Sequence, residues 1–121
     1  MKILVIIQRS NGDVYFSNSL IQVLLKNFKN STVDILVNDD TIHTASLIPN
    51  VRSIITFSYS EKKKNKWKQE KSIIKKIYRK YDIGINLTTS DRGALYSFLS
   101  AKKSISAIEE YRKSWWQKLL L

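Results

Sequence analysis

The sequence contains no cysteine and a single histidine, His43. Without cysteine the chain has neither a disulfide framework nor a thiolate metal site. One histidine cannot form a histidine-rich metal site, and its place on a predicted short helix favours a surface residue over a catalyst. We therefore expect a function that uses neither thiol chemistry nor a thiolate or histidine-rich metal site.

Long apolar runs and linkers are also missing. No stretch reaches the roughly 20 apolar residues that a membrane-spanning helix needs. The first residues do not resemble a secretory signal, because Asp13 follows soon after Ile7 and no cleavage-type segment comes next. No repeat and no Pro/Gly/Ser-rich linker divides the 121 residues. The sequence thus predicts one domain in the cytoplasm.

Acidic residues are scarce: 21 lysines and arginines against 10 aspartates and glutamates give a formal net charge of +11. A basic surface attracts nucleic acid, an anionic membrane face or a phosphorylated substrate, and charge alone does not choose among them. The lysines are densest between Ser58 and Lys68, which we interpret as a polar loop. That loop is either simply solvated or an anion-binding segment.

Short apolar runs alternate with helical patterns along the chain, which is typical of a parallel sheet with right-handed crossovers. The predicted strands are Met1 to Ile7, Val33 to Val37, Ser53 to Phe57, Ile83 to Leu87 and Lys103 to Ala107. The first is apolar throughout, as expected of a central strand covered on both faces. The fold class is therefore α/β, a Rossmann-like three-layer domain with a mostly parallel sheet.

Three predicted helices carry apolar stripes that we expect to face the sheet. The stripes are Phe16, Leu20, Val23, Leu24 and Phe28; then Trp67, Ile74, Ile77, Tyr78 and Tyr81; and then Ala94, Leu95, Phe98 and Leu99.

The loop from Gln8 to Asp13 joins the first strand to a helix that is predicted to begin near Val14. Asn11-Gly12 indicates a turn, because glycine accepts a positive φ. Asp13 has two interpretations: a helix N-cap, which stabilises by about 1 kcal/mol, or a general base toward a hydroxyl. Asp91 lies where another helix is predicted to start and has the same two interpretations, of which the N-cap is favoured.

Four loops follow the carboxyl ends of the predicted strands, where parallel sheets bind ligands. The polar residues that they bring are Arg9, Ser10 and Asp13; Asn38 and Asp39; Ser58, Tyr59 and the lysine run; and Thr88, Thr89, Asp91 and Arg92. Neither common nucleotide motif is present, because the first loop has one glycine where a dinucleotide fingerprint needs three, and it lacks the glycine-lysine pair of a P-loop. The expected site holds carboxylates in a basic surround.

Several segments resemble, in order, those of one enzyme family. They are Met1 to Ile6 with Ser10 to Val14, Val33 to Asn38, Ile48 to Val51, Tyr81 to Thr88, and Asp91 to Leu95. Together they are similar to the ADP-heptose:lipopolysaccharide heptosyltransferases, glycosyltransferase family 9. The match covers nearly the whole chain, which makes it more specific than any single motif.

The resemblance implies the N-terminal, acceptor-binding half of a GT-B enzyme. By resemblance Asp13, in the Ser10-x-Gly12-Asp13 loop, deprotonates the acceptor hydroxyl for an inverting transfer of heptose, without metal. The implied acceptor is an acidic lipopolysaccharide-core glycolipid. Its implied contacts are Arg9, Ser10, Asn11, Gly12, Lys62, Lys63, Lys64, Lys66, Thr88, Asp91 and Arg92. Arg9 departs from the small or polar residue of many members, which leaves the acceptor's identity open.

The 121 residues leave no room for the domain that binds ADP-heptose. We therefore expect an N-terminal piece that is inactive alone and whose partner is the missing donor domain or a second chain. The apolar ending, Trp115-Trp116 and Leu119 to Leu121, predicts contact with the missing domain or with a second copy of the chain, and peripheral contact to the inner face of the inner membrane is ranked second. The alternative function is a stand-alone basic domain that binds nucleic acid or another polyanion through its lysines and aromatic residues.

Overall fold

A computed structural model describes residues 1–88 and 90–106, apart from the side chains of residues 61–63, 65 and 91. The predicted last helix, from Glu109 to Leu121, lies outside the described residues, as does the interface predicted for it.

Strands and helices alternate along the described chain. The strands are β1 (Lys2–Ile7), β2 (Thr32–Asn38), β3 (Val51–Phe57), β4 (Ile83–Asn86) and β5 (Lys103–Ser106). The helices are α1 (Asn11–Asn27), α2 (Ile42–Ser46, after a 3-10 turn at Asp39–Thr41), α3 (Tyr59–Ile77) and α4 (Asp91–Ser100). The sheet order is β3-β2-β1-β4-β5, and all four pairings are parallel. The predicted α/β fold with a central first strand is confirmed.

The apolar β1 is covered on both sides, as its sequence predicts. Ile3, Val5 and Ile7 face the layer formed by α1 and α2, while Leu4 and Ile6 face the layer formed by α3 and α4. All five side chains are buried. Because side chains alternate along a strand, this one segment supplies the centre of both hydrophobic cores.

The predicted stripe of α1 is right only in part: Leu20 and Leu24 pack against the core, whereas Phe28 is exposed. Phe16 and Val23 are 76% and 55% exposed, and the residues that α1 buries are Val14, Ser17 and Ile21. Apolar residues occur around much of this helix, so their spacing fits more than one face. The sheet selects the face with small Ser17, whose hydroxyl is satisfied by the carbonyl of Val14 at 2.5 Å.

The stripes of α3 and α4 are right only in part, because Ile77, Tyr81 and Ala94 are buried as predicted whereas other members are exposed. Ile73 and Ile77 are the buried residues of α3, whereas Trp67 is 74% exposed. In α4 the buried residues include Tyr96, Ser97 and Ser100, while Leu95 and Phe98 are both 42% exposed. Small serines let a helix approach a strand more closely than leucine or phenylalanine would.

The loop predicted for the lysine-rich stretch is also wrong, because α3 begins at Tyr59 and includes it. No glycine or proline occurs between Ser58 and Asp82, and lysine, glutamate and glutamine favour helix. The helix ends earlier than predicted, at Ile77, and Tyr81 is buried beyond its end.

Gly84 marks a close approach of α4 to the sheet. A Cβ at this position would lie 2.8 Å from the backbone oxygen of Ser97 and 2.5 Å from the Oγ of Ser100. Ser97 also donates a hydrogen bond of 3.0 Å to the carbonyl of Gly84.

Gly84→Ala is therefore expected to lower the free energy of unfolding by about 2–3 kcal/mol, as overpacking of a core does. Urea denaturation followed by circular dichroism measures the change. Gly12→Ala is the matched control, because a Cβ there meets only the Ser10 Oγ at 3.9 Å and alanine favours the helix. Equal losses in the two variants would contradict the close-approach argument.

Candidate functional site

Asp13 lies in the first turn of α1, directly after the central strand. The N-cap of α1 is Ser10, whose Oγ accepts a hydrogen bond from the Asp13 backbone N–H at 3.5 Å. Asp13 is thus the third residue of a helix that begins at Asn11, and both the cap interpretation and the helix start near Val14 are wrong. Gly12 has no positive φ, so Asn11-Gly12 is the opening of the helix and not a separate turn.

The Asp13 carboxylate is held by its neighbours on the loop. Arg9 Nε and Ser10 Oγ each donate a hydrogen bond of 3.0 Å to Oδ2. These hydrogen bonds, first that from Arg9 and then that from Ser10, hold the pKa of Asp13 below its ordinary value. The group is ionised at neutral pH, and among the described residues both of its side-chain partners bind Oδ2, which leaves Oδ1 to a ligand.

A hollow of about 400 Å³ opens beside this carboxylate. Its lining combines the charged Arg9 and Asp13 with apolar side chains, among them Phe16, Leu20 and Leu87. Phe16 was not among the predicted site residues. The spacing could have revealed it, because residues three apart in a helix share a face, and Phe16 is three residues after Asp13.

Buried polar side chains brace the sheet edge behind Asp13. The Gln8 backbone N–H donates to Thr88 Oγ1 at 2.7 Å, and the Thr88 N–H donates to Asn86 Oδ1 at 2.9 Å. The Gln8 side chain donates to Asn38 Oδ1 at 3.4 Å. Thr88, a predicted contact residue, is 6% exposed. Its described contacts hold β1 and β4 together.

Asn11 braces the front of the site in a similar manner, because its Oδ1 accepts a hydrogen bond of 2.7 Å from Thr44 Oγ1. This contact fixes the first turn of α1 to α2. The first turn of α1, which carries the candidate base, is therefore held in place by a hydrogen bond to α2.

Arg92 has partners of its own, away from Asp13. Its Nε lies 3.5 Å from Glu70 Oε1, and its guanidinium lies 4.3 Å from the centre of the Phe57 ring. Tyr96 donates a hydrogen bond of 2.6 Å to the same Glu70 carboxylate. Burial, followed by the hydrogen bond to Glu70, raises the pKa of the Tyr96 hydroxyl. In this structure Arg92 joins α3 to α4.

The remaining predicted residues lie at different distances from Asp13. Ser90 is the N-cap of α4, with its Oγ accepting from the Gly93 N–H at 3.2 Å, so the cap interpretation of Asp91 is wrong. Lys64 and Lys66 are exposed on α3, and of Lys62 and Lys63 the structure describes only the helical backbone. Because β3 lies two strands from β1, α3 begins about 10 Å to the side of the Asp13 loop.

Two larger hollows, of about 720 and 700 Å³, lie at the opposite, amino-terminal edge of the sheet. Neither contains a residue of the Asp13 loop. Ligands of parallel sheets bind at the carboxyl ends of strands, so we place the candidate site at the smaller hollow. Within the described ranges no three acidic or histidine side chains are grouped to hold a metal ion. No helix there is long and apolar enough to cross a bilayer.

The fold defines a class, an α/β domain that matches part of the GT-B glycosyltransferase fold. The E. coli heptosyltransferase WaaC solved with ADP superimposes with a TM-score of 0.74 and 16% identity, over 99% of this chain and 40% of that chain. E. coli ADP-heptose lps heptosyltransferase II superimposes with a TM-score of 0.69 and 24% identity, over 88% of this chain and 30% of that chain. For a glycosyl transferase of family 9 from Veillonella parvula the TM-score is 0.71 and the identity 20%, over 87% of this chain and 32% of that chain.

The resemblance to heptosyltransferases is thus confirmed at the level of the fold. The chain spans 30 to 40% of the length of these solved enzymes. No protein-family model matches the chain, and no curated protein matches it by sequence.

Proposed function

We propose that this chain is the acceptor-binding half of a heptosyltransferase-like enzyme of the lipopolysaccharide core. The observation that carries the proposal is the ionised, partly exposed Asp13 at the carboxyl end of the central strand. It stands beside a hollow in a domain whose fold is that of solved heptosyltransferases.

In the proposed reaction Asp13 Oδ1 accepts the proton of an acceptor hydroxyl as that oxygen attacks the anomeric carbon of ADP-heptose. The bond between this carbon and the ADP oxygen breaks, ADP leaves with the bonding electrons, and the configuration inverts. Arg9 holds the carboxylate ionised and oriented through its hydrogen bond to Oδ2. A low pKa makes Asp13 a weak base, so its contribution depends on orientation as well as on basicity.

The donor ADP-heptose would bind a second domain, in the same chain or in a partner chain. The hollow beside Asp13 supports this division, because among the described residues its lining includes no glycine and a single cation, Arg9. An acidic acceptor sugar would find Arg9 in the hollow and the lysines of α3 at the side.

The second candidate, a polyanion-binding domain, is favoured by one observation. The exposed lysines continue along α3 far from Asp13 and lie near the exposed Trp67. Lysines confined to the Asp13 edge would have favoured the acceptor alone. The first turn of α3 follows β3 at that edge, and the exposed lysines continue along the helix beyond it.

Titration of the ¹⁵N-labelled chain separates the two candidates. A deacylated, acidic lipopolysaccharide-core oligosaccharide is expected to shift the amide signals of Arg9 to Asp13 and of Phe16, whereas ADP-heptose is expected to shift none of them. Asp13→Asn should keep the oligosaccharide bound, because binding does not need the proton transfer. If a short RNA shifts α3 and the oligosaccharide leaves the Asp13 loop unchanged, the polyanion function replaces the proposed one.

A further inference from the structure

One face of α3 combines lysines with two exposed aromatic rings. Trp67 is 74% exposed and Tyr78 is 53% exposed, and the backbone N–H of Tyr78 donates to the carbonyl of Ile74 at 2.8 Å, which continues the helix by one residue. The lysines of this face are also exposed. We name the set the α3 arc, and it consists of Lys64, Trp67, Lys68, Lys71, Lys75 and Tyr78.

Helix geometry places these six residues together. At about 100° per residue, Trp67 and Tyr78 point within about 20° of each other and lie about 16 Å apart along the axis. The four lysines fall within the next 100° or so around the helix. The buried Ile73 and Ile77 point to the opposite side, into the core. The α3 arc therefore faces away from the domain.

No described carboxylate interrupts the arc. Glu70, the acidic residue of α3 whose side chain is described, is turned inward, where Tyr96 donates to it at 2.6 Å and Arg92 lies 3.5 Å away. The arc is thus a cationic ridge about three turns long with aromatic rings on its flank.

The rings themselves carry cations. Lys66 Nζ lies 5.9 Å from the centre of the Trp67 ring, and the Arg79 guanidinium lies 5.9 Å from that of Tyr78. A ring with a cation over it has one face fewer for stacking on a nucleic-acid base. An aromatic body beside a positive charge suits the headgroup zone of a bilayer, where Trp and Tyr anchor and lysines meet anionic lipid.

We propose that the α3 arc docks this domain on an anionic membrane surface, with α3 parallel to the bilayer and Trp67 and Tyr78 in the headgroup zone. The positions of the arc's lysines and rings on α3 do not depend on the proposed function. The choice of a bilayer over nucleic acid rests partly on that function, because its acceptor is a glycolipid. Because α3 starts directly after β3, the arc begins at the same carboxyl edge of the sheet as the Asp13 loop, on the opposite face.

Sedimentation of the 121-residue chain with acceptor-free vesicles tests the proposal. Binding is expected to vesicles of phosphatidylcholine with phosphatidylglycerol and to be weaker by more than tenfold to phosphatidylcholine alone. Each lysine near an anionic surface contributes roughly fivefold to the binding constant. The variant K64Q/K68Q/K71Q/K75Q should therefore lose about a hundredfold or more, and W67A should bind less tightly at unchanged net charge.

The matched control is K26Q/K29Q/K102Q/K103Q, which removes the same charge from exposed lysines outside the arc. It should keep most of the binding. Equal losses in the two quadruple variants would overturn docking through the arc, as would a wild-type chain that binds a short RNA but no anionic vesicle. Because no vesicle contains the acceptor, this result is independent of the oligosaccharide titration.

Discussion

Asp13→Asn is expected to lower kcat by about 10²–10⁴-fold in an enzyme that joins this chain to a donor-binding domain, because general-base catalysis contributes a factor of that size. Asparagine keeps the size of the side chain and can still accept the hydrogen bond from Ser10. KM for the acceptor should change little, since the lost interaction acts on a proton that moves only in the transition state. Initial rates of ADP release measure both constants.

The control for this experiment is Asp40→Asn, which removes another exposed carboxylate, from the 3-10 turn after β2. It should leave kcat unchanged. The pH profile adds a second check, because Arg9 is the first cause of the lowered pKa of Asp13. Arg9→Gln should move the acidic limb of kcat to higher pH. A profile that does not move, or Asp13→Asn with full turnover, would remove this carboxylate from the mechanism.

Asp34→Ala is expected to cost about 2–4 kcal/mol of the free energy of unfolding. Asp34 is 2% exposed in β2 and accepts hydrogen bonds from Arg52 Nε at 2.9 Å and from the Tyr81 hydroxyl at 2.6 Å. Breaking a buried pair by removing one partner costs roughly 3–5 kcal/mol, and the Arg52 side chain is half exposed, which reduces the figure. Urea denaturation at pH 7 measures the loss.

The same carboxylate makes stability depend on pH. Burial opposes its ionisation, but the hydrogen bonds from Arg52, Tyr81 and Ser53 outweigh burial and hold its pKa below the ordinary 3.8. A lowered pKa in the folded state adds stability that is fully present above pH 3.8 and is lost as the pH falls through the folded value. The difference between wild type and Asp34→Asn should therefore narrow below about pH 4. A difference that stays constant down to pH 2 would contradict this role.

The strands could be predicted from the sequence, because continuous apolar runs such as Ile3 to Ile7 have few other places in a small domain. The location of Asp13 could be predicted too, since a residue in the loop or first helical turn after a central strand lies at the carboxyl edge of the sheet however the helices are rotated. The rotation of each helix about its own axis could not be predicted. In α1 both Phe16 and Ile21 fit an apolar stripe, and only packing on the sheet decides between them.

The partners of Asp34 and Arg92 could not be predicted either. Asp34 meets Arg52 and Tyr81, which are 18 and 47 residues away along the chain. A single aspartate within an apolar strand does signal a buried partner, but it does not say which residue that partner is. Arg92 looked like a ligand contact because it follows a strand-ending loop, and its pairing with Glu70 depends on how α3 and α4 pack.

The order of the strands has a consequence for synthesis on the ribosome. β1 pairs on one side with β2, where Ile3 lies beside Val33, and on the other with β4, where Ile3 lies beside Ile83. The first three strands can thus assemble while the second edge of β1 still lacks its neighbour. Until Ile83–Asn86 leaves the exit tunnel, that apolar edge is open to strands of other nascent chains, and a chaperone that shields it would act in this interval.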